Sequence, residues 1–348
     1  MKERVYLDHN ATAPLRAEAR DAMIAAMDIV GNPSSVHAEG RVAKGLIEKA
    51  RGRISEALGA SGADIVFTSS ATEAAALACA ERGLGGAPIE HDAVAAWIEP
   101  IVEVYHLGRA EIYHPESSVL QSANSETGIL QQLPEGLAVS DMTQSFGKVP
   151  IGFAWSGVQM ALISAHKIGG PKGIGALVLR QGLDVATQIK GGGQEMGRRS
   201  GTENVVGIAG FGAAAEATQR DLATGVWDRV ADLRKILEKA IETEAPDTIL
   251  VGKGAERLPN TACFATPGWK GETQVMSMDL AGFAISAGSA CSSGKVKASK
   301  VLRAMGYDEL TASSAVRVSL GPETTKDEIL RFVDAWSAAH KRFQAKAA

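Results

Sequence analysis

Short β-rich runs alternate with helical stretches along most of this chain, and that alternation restricts the fold more than any single residue does. Asp64–Thr68 precedes an alanine-rich helix predicted over residues 72–81. Further strands are expected at residues 101–105, 119–123, 137–140, 161–164 and 176–179. Upstream, Val42, Leu46, Ile47, Ile54 and Leu58 recur at helical spacing and predict an amphipathic helix over residues 41–58. Parallel strands need crossover helices, so this order predicts a mostly parallel sheet with helices on both faces. From Thr202 a long helical region runs towards Glu244, and strands near residues 262–265 and 316–319 open a second α/β segment. At 348 residues the chain is long for one core. The expected organisation is a large domain over residues 12–223 and a smaller one over 224–348, with an N-terminal arm, 1–11, packed on the latter.

Charge and cysteine usage exclude several classes. The net charge of -4 leaves no basic footprint for nucleic acid. No apolar run is long enough to span a bilayer. The first eight residues hold no apolar signal region, which predicts a cytoplasmic protein. Cys79, Cys263 and Cys291 are three in number and widely spaced, which suits a reducing compartment and no metal.

Several segments carry chemistry. In residues 164–173 the apolar run 160–163 ends at Ser164, Ala165, His166 and Lys167, followed by a Gly/Pro-rich loop. A lysine at such an edge can be partly desolvated and form a Schiff base with an aldehyde; a plain turn with a solvated lysine has the same pattern. Ser70 and Glu73 have capping-box spacing, and the same helix start, with Ala71 and Thr72, can cradle a phosphate. Asp141 ends a predicted strand, and Gln144 follows three residues later. A carboxylate there either caps a turn or pairs with a protonated pyridine nitrogen. His91 is a capping residue or a ring that stacks on a cofactor. Cys291 lies among Gly, Ser and Ala, with Lys295 and Lys297 nearby, the setting of a reactive thiol on a loop. Cys79 and Cys263 sit in apolar segments and read as core.

Taken in order, these segments resemble the cysteine desulfurases of the NifS/IscS type, within the class V, fold-type I pyridoxal-phosphate enzymes. The similarity runs nearly end to end. It includes Tyr6-Leu7-Asp8 through Ala11-Thr12, Gly31 to His37, the Ser70–Glu73 turn, Asn124 to Gly128, Asp141 with Gln144, residues 164–173, Gly191 to Glu195, Arg199 to Asn204, the Cys291 loop and Arg317 to Gly321. The resemblance implies an α/β fold: a mostly parallel seven-stranded sheet with helices on both faces, plus a smaller C-terminal α/β domain.

It also implies roles. Lys167 would carry pyridoxal 5'-phosphate covalently, Asp141 would pair with its ring nitrogen, Gln144 would contact the ring hydroxyl and His91 would stack on the ring. Ala71, Thr72, Ser164 and His166 would hold the phosphate, with Thr202 reaching it from the second subunit of a homodimer. Asn124 and Ser125 would line the cofactor and substrate side, Arg317 would fork onto the carboxylate of L-cysteine, and Cys291 would take up sulfur for an acceptor protein such as an iron–sulfur scaffold. Departures accompany the match. Ser125 stands where a second asparagine is common, Val139 where a histidine often precedes the aspartate, and the stretches 91–124 and 128–141 are short for the family. Other readings on the same scaffold are a selenocysteine lyase, another class V lyase or aminotransferase, and a non-catalytic sulfur carrier with a degenerate cofactor site.

Overall fold

In the computed structural model, residues 4–105, 107–288 and 298–347 are described. The elements run in the order β1 (Val5–Tyr6), α1 (Ala17–Met27), α2 (Ala38–Leu58), β2 (Asp64–Thr68), α3 (Ala71–Cys79), β3 (Leu84–Gly86), α4 (Asp92–Ala95), β4 (Ile98–Glu99), β5 (Ser118–Val119), β6 (Val139–Asp141), β7 (Met160–Ser164) and β8 (Gly175–Leu179). They continue with α5 (Val205–Ala223), α6 (Val226–Glu244), β9 (Ile249–Leu250), β10 (Thr261–Ala265), α7 (Gly271–Leu280), β11 (Phe283–Ala284), β12 (Ser286–Ala287), α8 (Lys300–Ala304), α9 (Glu309–Ser313), β13 (Ala315–Ser319) and α10 (Lys326–Ala347).

Seven strands form the main sheet in the order β2-β8-β7-β6-β5-β3-β4. Only β8 runs against its neighbours, so the C-terminal ends of β2, β5, β6 and β7 lie on one edge. Alternate residues of each central strand face opposite cores. Ile65, Phe67, Ala161, Ile163, Ala176 and Val178 pack with Ile47, Ala50, Ile54 and Phe211 of α2 and α5. Val66, Met160, Leu162, Leu177 and Leu179 pack with Ala74, Ala75, Leu77 and Ala78 of α3. The central strands are apolar on both faces because both are covered. Close approach of α2 to α5 requires Gly212: a methyl group there would lie 2.6 Å from Ala50 Cα.

A second, antiparallel sheet has the order β12-β13-β10-β9. One face sends Cys263 and Ala265 to the main core. The other sends Ala262, Phe264, Val316 and Val318 to a separate core with Trp227, Leu237, Phe332 and Trp336 of α6 and α10. Val5 and Leu7 join that core, and β1 pairs in parallel with β11. The chain then crosses to the main sheet, where Ala13 N–H bonds the His166 carbonyl and Arg16 N–H that of Gly169.

Two expectations need correction. No strand forms at 101–105; only an isolated bridge joins Val104 to Ala110. The sheet edge is instead β3 and β4, and β3 is rich in glycine because neighbours press on it. A methyl group on Gly86 would lie 2.4 Å from Ile98 Cδ1 and 3.1 Å from the Val119 carbonyl oxygen. The helical region after Thr202 begins at Val205 and is two helices, broken at Gly225, whose φ of 71° suits glycine. Among the described residues, no helix is long and apolar enough to cross a membrane.

Candidate active site

A cavity of about 240 Å³ opens at the C-terminal edge of the main sheet, where open α/β sheets bind ligands. Ala71, Thr72, His91, Ser125, Asp141, Gln144, Ser164, His166 and Lys167, nine of the residues singled out in the sequence, line it. They come from five separate segments, brought together because parallel strands end side by side.

Lys167 ends a 3-10 turn, Ala165–Lys167, directly after β7. Its Nζ donates to the carbonyl oxygens of Asn10 (2.6 Å) and Ala11 (2.9 Å), so the N-terminal arm holds the amine at the cavity wall. Asp141 ends β6, and its Oδ1 accepts from Thr143 N–H at 2.9 Å. His91 caps α4, with Nδ1 accepting from Ala93 N–H at 3.1 Å, which leaves the proton of the neutral ring on Nε2. The ring is open at the cavity mouth, yet enough protein surrounds it that desolvation lowers its pKa; Asp141 pulls the other way and Lys167 adds to the lowering. His166 is depressed further, to about 4, by burial and then by Lys167, Lys172 and Lys148. Its Nδ1 lies 3.2 Å from Thr12 Oγ1.

The α3 N-terminus faces the same cavity. Ser70 Oγ accepts from Glu73 N–H (3.2 Å), while Glu73 Oε2 accepts from Ser69 N–H (2.7 Å) and its carboxylate pairs with Arg199 (2.7 Å). Capping therefore consumes Ser70 and Glu73 but leaves the N–H groups of Ala71 and Thr72 without intrahelical partners, directed where an anion is favoured. Gly175 of β8 makes the turn possible: a methyl group there would lie 2.6 Å from the Ser70 carbonyl carbon and 2.8 Å from Ala71 N.

Other sequence-selected residues stand elsewhere. Asn124 is buried behind the wall, with Nδ2 on the Ile89 carbonyl (3.2 Å) and Oδ1 accepting from Glu126 N–H, Thr127 N–H and Thr127 Oγ1. Thr202 is exposed and lines a second, smaller cavity with Ser69, Arg199 and Glu203. Arg317, on β13, is buried with its guanidinium on Asp8 and on the Ser125 carbonyl. Cys291 lies outside the described residues. A larger cavity, about 590 Å³, adjoins Lys167 from the side of Arg16, Trp227 and Glu328. It holds neither Asp141 nor the α3 N-terminus, so size does not make it the reactive site.

Two residues given no role from the sequence prove central. Asn10, 1% exposed, accepts on its carbonyl oxygen from both Lys167 and Gln144 Nε2 (2.9 Å), and donates from Nδ2 to Ser125 O (3.1 Å) and Thr261 Oγ1 (2.8 Å). Lys148 is buried with its Nζ 2.7 Å from Gln144 Oε1. Its spacing of four residues from Gln144 was the one signal for it in the sequence.

A lysine and an aspartate thus stand at the ends of adjacent parallel strands, beside a helix N-terminus and next to a second α/β layer. The sequence model described as "Aminotransferase class-V" matches residues 5–94 and 118–332. The chain is 38% identical to a cysteine desulfurase of Cereibacter sphaeroides, over 95% of this chain and 94% of that one. It is 35% identical to the cysteine desulfurase IscS of Dictyoglomus turgidum, over 94% and 92%. A solved NifS-like protein from Rickettsia africae superposes with a TM-score of 0.88 at 32% identity, covering 97% of this chain and all of that one. The chain belongs to the class-V aminotransferase family and, within it, to the cysteine desulfurases.

Proposed function

We propose that the chain acts as a homodimeric, pyridoxal 5'-phosphate-dependent cysteine desulfurase that converts L-cysteine to L-alanine and leaves the sulfur on Cys291. The observation that carries this reading is the convergence of Lys167, Asp141, His91 and the α3 N-terminus on one cavity. The donor set fits the cofactor. An amine suits its aldehyde, a carboxylate its pyridine nitrogen, and two helix N–H groups with Thr72 and Ser164 its phosphate. Bound there, pyridoxal 5'-phosphate would supply an electron sink for the bonds around the substrate Cα.

The remaining steps belong to the protein. Lys167 Nζ would attach the cofactor and, when the substrate amine takes its place, move the Cα proton. Asp141 would keep the ring nitrogen protonated. His91, neutral near pH 7 given its lowered pKa, can stack and relay a proton. Arg317 would hold the substrate carboxylate behind Ser125. The Cys291 thiolate then attacks the substrate sulfur: the S–S bond forms, the C–S bond breaks, and the electron pair and a proton end on alanine. Burial pushes the Cys79 thiol up to about 12 and the Cys263 thiol well above its ordinary value, so neither offers a thiolate at neutral pH. The sulfur would pass to an acceptor protein, such as an iron–sulfur scaffold, in the cytoplasm.

The test is to add pyridoxal 5'-phosphate and then L-cysteine to the purified chain, follow the visible absorbance, quantify alanine and weigh the Cys291 peptide. A spectral change, alanine release and one added sulfur on that peptide are expected. Absence of alanine with cofactor bound would overturn the reading.

A further inference from the structure

Lys148 is a buried lysine that the proposed chemistry does not use. Among the described residues it has no carboxylate partner, and the charged groups bearing on it, Lys167 and Arg317, both repel its charged form. A buried amine needs acceptors. It finds two, both neutral amide oxygens: Gln144 Oε1 at 2.7 Å and Asn10 Oδ1 at 3.4 Å.

This arrangement has a directional consequence. A primary amide has nearly the same shape either way round, so packing alone does not choose which end of Gln144 faces inward. Its two neighbours choose together: the Asn10 backbone carbonyl can only accept and so takes Nε2, while the Lys148 amine donates to Oε1. Gln144 Oε1 must face Lys148, and its NH2 group must face the other way. There Nε2 donates to the Asn10 carbonyl at 2.9 Å, the same oxygen that receives Lys167 Nζ at 2.6 Å. Gln144 lines the candidate cavity, so its second N–H is left for whatever occupies that space. Gly147, just before Lys148, has φ 73°, and a methyl group there would lie 2.6 Å from Thr218 Cγ2, so the turn into Lys148 requires glycine.

We propose that Lys148 is a positioning residue: it orients the Gln144 amide so that an N–H, not an oxygen, faces the cofactor, and through that amide it steadies the Asn10 carbonyl that holds Lys167. The proposal rests on the reading of the cavity as a pyridoxal 5'-phosphate site. A role acting through Gln144 must vanish when Gln144 is gone, whereas a purely structural role must not.

The experiment is a double-mutant cycle of Lys148→Met and Gln144→Leu, read as the dissociation constant of pyridoxal 5'-phosphate from the apo chain and the absorbance maximum of the bound form. Lys148→Met is expected to weaken binding about tenfold and shift the maximum, the scale of one hydrogen bond. In the Gln144→Leu background the same change should cost less than about twofold. Should Lys148→Met fail to fold, Lys148→Gln takes its place in the cycle, since its shorter side chain keeps bulk but loses reach. An equal loss in both backgrounds, or no loss in the parent, overturns the proposal alone. A parent chain that takes up no pyridoxal 5'-phosphate overturns the underlying reading and the proposal with it.

Discussion

Arg317 donates to Asp8 at 2.7 Å across two elements, β13 and the N-terminal arm, so the cation expected to bind substrate already holds an anion. Its other contact, the Ser125 carbonyl at 3.0 Å, lies on the cavity wall. A substrate carboxylate would therefore share the guanidinium with Asp8 rather than meet it free.

That competition predicts opposite effects on either side of the pair. Arg317→Lys keeps the charge but loses the planar fork, and is expected to raise KM for L-cysteine about tenfold or more, the scale of a charged hydrogen bond. Asp8→Asn removes the rival anion and should lower KM. Steady-state kinetics with thermal melts as a folding control decides it; a KM unmoved in both variants would show that Arg317 serves only the fold.

Lys167 is expected to be the single attachment site for the cofactor. Borohydride reduction followed by peptide mapping should label Lys167, and Lys167→Ala should retain the fold but give no label and no turnover. Lys172, five residues on in the same loop, lines neither the cavity under α3 nor the larger one adjoining Lys167. Its labelling would refute the assignment.

The exposed Thr202 hydroxyl lies away from the Lys167 cavity within one chain. If it completes the phosphate site of a second copy, Thr202→Ala should weaken cofactor retention by about 1.5–3 kcal/mol. Sedimentation and cofactor titration test this together. A monomer that holds cofactor as well as the parent would rule out a shared site.

Glu126 gives a pH prediction. It is 6% exposed, and burial raises its carboxyl from 4.5 to about 7, opposed by a hydrogen bond from Ser299 and by attraction from Arg317 and Lys300. Between these two values the folded chain keeps a proton that the unfolded chain has lost. Stability from this group therefore falls as pH rises from 4.5 through 7, by about 3 kcal/mol in all. Glu126→Gln imitates the protonated form and should flatten that slope, making the variant more stable than the parent at pH 8 and nearly equal to it at pH 4.5. Urea denaturation at the two pH values measures this; parallel curves for parent and variant would contradict it.

The two buried thiols yield the last prediction. With pKa values far above neutral, Cys79 and Cys263 should resist iodoacetamide at pH 7 in the native chain and react fully in denaturant. Cys79→Ala and Cys263→Ala should keep desulfurase activity, whereas Cys291→Ser should abolish alanine release while still responding spectrally to L-cysteine. Persulfide mass on the Cys79 peptide would contradict the assignment.

Local chemistry determined much of this protein. The 3.6-residue spacing of Ile47, Ile54 and Leu58 specifies α2, the apolar runs at 64–68 and 160–164 specify central strands, and the Ser70 and Glu73 pair specifies the start of α3. These signals are legible because each depends on residues within a turn or two of one another. Most of the cavity was legible for the same reason: Asp141 ends a strand, Lys167 and Ala71 each follow one closely, and parallel strands end on one edge. Tertiary structure alone decided the rest. A strand as poor in side chains as Leu84–Gly86 forms because Ile98, Ile101 and Val119 lie against it. Asn10 reaches Lys167 across 157 positions, Lys148 becomes a buried donor only once the arm covers it, and Arg317 meets Asp8 across 309. Such contacts leave no local pattern, because their energy comes from burial and from pairing polar groups that only the assembled core removes from water.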